Sequence, residues 1–247
     1  MSASRIVEVA ELDLRFEARS WPFAEAEAAK IAAHWRARRT AQPRLYNGRA
    51  LLLGRHALER RADGREVLRG DFFEADYAAF LAWKDFGFPD AEVCNAFSMA
   101  ALVAADGAFL LGEMAAHTAN AGAIYFPAGT PDPKDVFAGR VDLTASATRE
   151  LEEETGVAAD EVAFGPAWTV VYDPPRIACM KVMRLAAPAA AIKARVDAFL
   201  AADPEAELAT MHIARGPEDI DAERSPRFVV DFLRYAFARR TSDAFLA

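Results

Sequence analysis

The stretch Arg149-Glu150-Leu151-Glu152-Glu153-Glu154-Thr155-Gly156-Val157 is the densest chemical signal in this 247-residue chain. Its local grammar is that of a helix and its end. Ala145, Ala147 and Leu151 are good helix formers, Asp142 or Thr144 can cap the start, and Gly156 suits the left-handed position at which helices stop. Leu151 and Val157 stand where such a helix can be pinned to a sheet. On a helix, Glu150, Glu153 and Glu154 fall at i, i+3 and i+4, which predicts three carboxylates converging on one face. Such a trio is repulsive unless a cation lies among it, and ligation by oxygen alone suits Mg²⁺ or Mn²⁺ with several waters kept. An arbitrary Glu run is usually a solvated helix face. This one follows a short apolar strand at Ile124-Tyr125-Phe126, then Pro127-Ala128-Gly129 and a polar loop, and that order makes it specific.

Outward from the helix the pattern is of hairpins interleaved with helices. Upstream, Ser98 to Ala105 and Phe109 to Met114 read as strands around an Asp106-Gly107 turn. Downstream, strands are expected around Trp168 to Tyr172 and Ile177 to Leu185, separated by Asp173-Pro174-Pro175. An Ala-rich helix over Pro188 to Ala202, a strand from Glu207 to Ala214 and a last helix from Pro226 to Arg240 complete this half. Before Val93 lies a second set. Val7 to Phe16 alternates as a strand or bulged pair with a slip near Ala10, and Pro22 opens a helix that must end before Pro43. A strand through Leu51-Leu52-Leu53 and another from Glu66 to Phe73 flank the Ala62-Asp63-Gly64-Arg65 turn, and a helix carries Tyr77, Phe80, Leu81 and Trp83. The expected fold is α+β: a mixed sheet covered by helices on both faces, an α/β/α sandwich over residues 93–247, with an additional N-terminal α+β subdomain over 1–92.

Composition bounds the function. Hydrophobic residues make up 53% and charged residues 27%, which is ordinary for a globular chain with a substantial core. A net charge of -8 and a pI near 5.1 argue against nucleic-acid or anionic-membrane partners, which favour a basic face. They leave room for a small phosphorylated ligand held by local arginines and a metal. The two cysteines, Cys94 and Cys179, have neither metal-ligand nor disulfide-framework spacing and read as buried free thiols. Met1-Ser2-Ala3-Ser4-Arg5 leads into no apolar signal core, and no run of about 18 apolar residues occurs, so a cytoplasmic protein is expected.

The stretch from Gly129 to Val157 resembles the Nudix box, in which Gly, five residues, Glu and seven residues precede Arg-Glu-U-x-Glu-Glu-x-Gly-U, with U apolar. The second half matches at every specified position. In the first half, Gly129 is followed after five residues by Asp135 where the family has Glu, and thirteen residues rather than seven separate Asp135 from Arg149. This is a six-residue insertion within 136–142. It leaves two partners open for Arg149, Asp135 and Asp142. The resemblance implies a Nudix fold and a hydrolase that cleaves a nucleoside diphosphate linked to another group. It further implies that Glu153 and Glu154 bind Mg²⁺ or Mn²⁺, that Glu150 is a further ligand or the base that activates water, that Arg149 belongs to the catalytic set, and that the Gly129 backbone approaches the metal shell.

Trp35 and the run Pro43-Arg44-Leu45-Tyr46-Asn47-Gly48 are similar to the N-terminal part of Nudix proteins that hydrolyse UDP-sugars and related nucleotide-sugars. ADP-ribose, dinucleotides and coenzyme A compete as substrates, and a Nudix-fold module that binds a nucleotide without cleaving it is the rival from another class. Arg176 is a candidate phosphate contact, Glu207 a candidate further metal ligand, and His117, Asn95, Tyr125 and Trp168 candidate substrate contacts. For each of these a surface, loop or core role is the plainer reading. A small-molecule nucleotide is the expected partner, and exposed aromatic faces of the N-terminal part could make a homodimer contact.

Overall fold

The computed structural model describes residues 4–239; the expected Arg240 end of the last helix and the extreme N-terminal residues 1–3 lie outside the described residues. In chain order the strands are β1 (Arg5–Val9), β2 (Glu11–Phe16), β3 (Arg49–Arg60), β4 (Glu66–Asp76), β5 (Asn95–Val103), β6 (Phe109–Met114), β7 (Ile124–Tyr125), β8 (Ala128–Gly129), β9 (Val136–Phe137), β10 (Arg140–Val141), β11 (Val162–Asp173), β12 (Arg176–Leu185) and β13 (Leu208–Ala214). The helices are α1 (Pro22–Ala26), α2 (Ala28–Ala41), α3 (Tyr77–Asp85), α4 (Leu143–Thr155), α5 (Ala189–Ala201) and α6 (Arg227–Arg239). No helix among the described residues is long and apolar enough to cross a membrane.

The chain is an α+β protein with two mixed sheets. The larger has eight strands in the order β1-β11-β12-β5-β6-β13, with β7 and β8 attached to β6 and β5; the smaller has five in the order β3-β4-β2-β10-β9. Every residue of β5 is buried, as expected of a central strand covered on both faces. On one face Phe97, Met99, Phe109 and Phe126 meet Phe228, Phe232 and Leu233 of α6. On the other, Ala100, Leu102 and Leu110 meet Ala147 and Leu151 of α4 and Ile192 and Val196 of α5. Beside α4 on that same face, the small sheet buries Leu51, Leu53, Leu68 and Phe72 against Ala96, Trp168, Val170 and Cys179. Helices α1 to α3 close the outer side of the small sheet around Phe73 and Trp83.

Strand exchange crosses the expected 1–92/93–247 division in both directions. β1 joins the large sheet antiparallel to β11, whereas β9 and β10 join the small sheet at β2. The slip at Ala10 is therefore not a bulge within one ladder. It is the point where the chain leaves one sheet for the other, its N–H donating to Glu66 O at 2.8 Å. The helix expected from Pro22 is broken at Glu27 into α1 and α2. β3 and β11 run longer than their apolar cores indicate. The outer half of β3 is polar and exposed, and its pairing with β4 holds it in the ladder. Burial did not select those residues, so periodicity could not reveal them.

One irregularity of the large sheet places the site. β5 and β6 pair at Leu102↔Leu110 and Val103↔Phe109 and then diverge. The segment carrying β7 and β8 fills the wedge, Gly112↔Tyr125 on one side and Ser98↔Gly129 on the other. Helix α4 packs over β5 and β8, so its inner face lies directly on Ala128-Gly129.

Candidate active site

Helix α4 begins at Asp142, whose carboxylate accepts from the backbone N–H groups of Thr144 and Ala145 at 2.9 and 3.0 Å. Such a cap stabilises a helix by about 1 kcal/mol. It ends at Gly156, in the left-handed conformation at φ 68°. The buried positions Leu143, Ala147, Leu151 and Glu154 follow one seam, so the packing that pins the helix also drives Glu154 inward. Glu154 is 6% exposed, and Glu150 beside it has a side chain 15% exposed. Glu153, expected with them, has a side chain 61% exposed and leans toward Arg149 at 3.6 Å.

Arg149 takes Asp135 as its partner. Its Nη2 donates to the Asp135 carboxylate at 3.2 and 3.4 Å, and its Nη1 donates to Glu150 Oε1 at 2.7 Å. The rival carboxylate, Asp142, is occupied at the helix cap. Asp135 is 2% exposed and also accepts from the Asp132 N–H at 3.0 Å, so its orientation is fixed before it meets the guanidinium. Burial works against the charge on Arg149, but Glu150, Asp135 and Glu153 outweigh it and hold the guanidinium more firmly protonated than usual.

The pair Glu150 and Glu154 is electrostatically uncomfortable. Burial raises the Glu150 carboxyl above its ordinary range, with Arg149 opposing. Burial raises Glu154 further, and the charges of Glu150 and Glu207 add to it, against one N–H from Ala128. Glu154 Oε2 is buried with no hydrogen-bond partner. Gly129 abuts Glu150; a Cβ there would land on the Glu150 carboxylate and displace it.

An orphaned carboxylate oxygen among like charges, with oxygen-only donors, fits a hard divalent cation. Among the described residues no group of three or more His, Cys, Asp or Glu side chains is already arranged as a cation cage. Of the three helix carboxylates, Glu154 and Glu150 are the two held against the protein interior. Glu207, exposed just before β13, reaches the same field, since its charge raises both Glu150 and Glu154. Tyr125 borders it too. Its hydroxyl is pushed up to about 12 by burial, with the charges of Glu154 and Glu207 adding, and it accepts from Asn120 Nδ2 at 3.2 Å.

The other sequence candidates are dispersed. Arg176 lies 6.0 Å from the Phe88 ring centre and 3.9 Å from Asp173, beside the N-terminal helices. His117 is exposed in its loop. Trp168 is buried between the two sheets under Lys181. Asn95 is buried and accepts from Thr130 Oγ1 at 3.4 Å, beside the chain leaving Gly129. The polar groups of Asn47 and Gly48 serve the fold: Asn47 Oδ1 accepts from the Ala78 N–H at 2.7 Å and Gly48 O from the Tyr77 N–H at 2.9 Å, together fixing the start of α3. Trp35 packs edge-on against Tyr77, which is raised by burial and senses the charge of Glu207.

No family model matches the chain, and no curated protein matches it. Among solved structures it is similar to a Nudix hydrolase from M. smegmatis, RenU, at 17% identity and a TM-score of 0.39 over 60% of this chain and 85% of that one. It is also similar to the MutT protein from Methanosarcina mazei Go1, at 19% identity and a TM-score of 0.41 over 60% of this chain and 94% of that one.

Proposed function

We propose that the chain is a divalent-cation-dependent hydrolase of the Nudix kind, cleaving nucleoside diphosphate derivatives at the diphosphate, with nucleotide-sugars such as UDP-sugars as its substrate class. The observation that carries this reading is the Glu154 carboxylate. It is buried, has one oxygen without a partner, and is faced by Glu150 and Glu207. A protein that used α4 only as a scaffold would gain stability by replacing that group.

Glu154 and Glu150 would hold Mg²⁺ or Mn²⁺, completed by Glu153, Glu207 or both turning inward and by the backbone at Gly129. The bound cation would supply neutralisation of the diphosphate and a water acidic enough to attack phosphorus. The chain's own residues do the rest. Arg149, held by Asp135, donates to Glu150 and keeps that carboxylate directed at Gly129. Gly129 keeps the space beside Glu150 open. Burial of Glu154 and Tyr125 excludes water from one side of the site, which strengthens every charge interaction within it.

The test is Mg²⁺- or Mn²⁺-dependent release from a panel of UDP-sugars, ADP-ribose, dinucleotides and coenzyme A, with a phosphatase added to reveal monophosphate products. Turnover that requires the cation, and is fastest on a nucleotide-sugar, is the expected result. Tight nucleotide binding with no turnover anywhere on the panel would replace this reading with that of a binding module. Preferred turnover of ADP-ribose would keep the hydrolase and remove the nucleotide-sugar.

A further inference from the structure

The six-residue insertion is a built element. β9 and β10 form a hairpin with register Val136↔Val141 and Phe137↔Arg140, turning through Ala138 and Gly139, both at positive φ. Gly139 O accepts from the Phe16 N–H at 2.9 Å, and Arg140 stands opposite Arg15 on β2. Val136 and Val141 pack into the core between the two sheets. At the tip side, Arg140 Nη2 meets Asp13 Oδ1 at 2.9 Å, while Arg69 Nε donates to Asp13 Oδ2 at 2.9 Å. Asp13 is 7% exposed, so this anchor is a nearly buried carboxylate between two guanidiniums.

The neck of the hairpin carries the residues that organise α4. The Asp142 N–H donates to Asp135 O at 2.8 Å and closes the neck. The residue before the hairpin, Asp135, holds Arg149, and the residue after it, Asp142, caps the helix. A shift of the hairpin relative to β2 therefore moves both ends of the Arg149 contact at once.

We propose that Asp13 and Arg140 are positioning residues for the carboxylate helix: their ion pair fastens the 136–141 hairpin to the N-terminal sheet, and the fastened neck sets Asp135 against Arg149 and so orients Glu150. This rests on the hydrolase reading only for its kinetic consequence. The N-terminal sheet is then part of the catalytic apparatus through a side chain that touches neither cation nor substrate. A misplacement of a catalytic group by an ångström costs up to about a hundredfold in rate, so partial release of the hairpin is expected to cost roughly tenfold.

The experiment uses the full chain and Arg140→Met, which keeps the aliphatic stem and removes the charge. Expected are a kcat about tenfold lower, KM within about twofold, and a Tm lower by less than about 4 °C, because the Arg140 side chain is half exposed. Arg140→Lys restores most of kcat, since a single contact to Asp13 suffices. In an Asp135→Asn background, Arg140→Met has no further effect on kcat. A fall in Tm with unchanged kcat, or additive effects of the two substitutions, would reduce the hairpin to a stabilising clip and overturn the proposal. A second readout needs no turnover. The Nε–H of Arg149, buried and without a partner, gives a ¹⁵N NMR signal assignable by Arg149→Lys. That signal shifts or broadens in Arg140→Met if the coupling exists and keeps its position if it does not. A wild type inert on every nucleotide would sink the hydrolase reading and leave this comparison to decide the coupling.

Discussion

Two nearly buried carboxylates in this protein have opposite surroundings. Asp13 lies between Arg69 and Arg140, and although burial opposes its charge, the two guanidiniums more than offset it and hold the carboxyl below its ordinary value. Glu154 lies among Glu150, Glu207 and Glu153 with one backbone N–H in support, and is held well above. Each group is fixed by a secondary-structure seam, Asp13 on β2 and Glu154 on α4. Only the neighbours differ. A carboxylate flanked by cations is a fastening, whereas one flanked by carboxylates is a vacancy in charge, and folding stability alone would not retain it.

The comparison can be broken by substitution. The largest effect is expected at Glu154. In the proposed function Glu154 holds the catalytic cation; its loss would forfeit several kcal/mol of transition-state stabilisation, and Glu154→Gln should lower kcat about a thousandfold or more. The same change removes a repulsive charge, and the cation-free protein should gain about 2–4 °C in Tm, the equivalent of about 1 kcal/mol at this size. Asp13→Asn should act in the opposite sense on stability. Losing one partner of a buried pair costs about 3–5 kcal/mol, reduced here to about 2 kcal/mol because both arginines are half exposed, for a fall of about 4–8 °C by thermal melting. Equal and same-signed Tm shifts for the two variants would erase the distinction.

The pH dependence sharpens it. The folded pKa of Asp13 lies below the ordinary 3.8, so its stabilisation is complete above that value and is lost as pH falls through the depressed one. The folded pKa of Glu154 lies well above the ordinary 4.5. In the cation-free protein its contribution is complete below 4.5 and is lost as pH rises through the raised value. Melting across a pH range that runs from below 3.8 to well above 4.5 should therefore show a loss at each end. Asp13→Asn flattens the acid limb, and Glu154→Gln flattens the upper one. Mg²⁺ flattens the upper limb in the wild type alone, because the cation takes the place of the proton. An upper limb that survives Glu154→Gln would assign it to another group. The smallest effect is expected at Glu207. It is exposed, its field at the site is worth about 1 kcal/mol or less, and Glu207→Gln should raise the Mg²⁺ concentration for half-maximal rate by about fivefold at most.

Much of the site was legible because it is local. The cap at Asp142, the stop at Gly156 and the placement of Glu150 and Glu154 on the inner side of α4 all follow from spacing over a few turns of one helix. The same spacing does not rank the three carboxylates by burial. Three positions at i, i+3 and i+4 share a broad face, but the seam that buries Glu154 and Glu150 leaves Glu153 on its outer rim, and only packing decides where the rim falls. The choice of Asp135 over Asp142 as the partner of Arg149 was open in the sequence, since both stand within reach along the chain. It was closed by the hairpin, whose neck brings Asp135 to the guanidinium and leaves Asp142 to the helix N–H groups.

The small sheet was the least legible part. Val7 to Phe16 has the right alternation for strands, but nothing in it says that β1 and β2 go to different sheets. Nor does any local pattern say that Asp13 will meet Arg69 and Arg140 from strands 56 and 127 positions away by the numbering. Such pairings depend on register between segments distant in sequence. By itself the sequence determined the elements and their order, the acidic inner face of α4 and the glycine beneath it, because these follow from periods of two and 3.6 residues and from backbone sterics. The tertiary structure alone decided which carboxylates are satisfied and which are not. Charge balance at a buried group is set by whatever the fold brings within a few ångströms, and that is a property of topology rather than of any one stretch of chain.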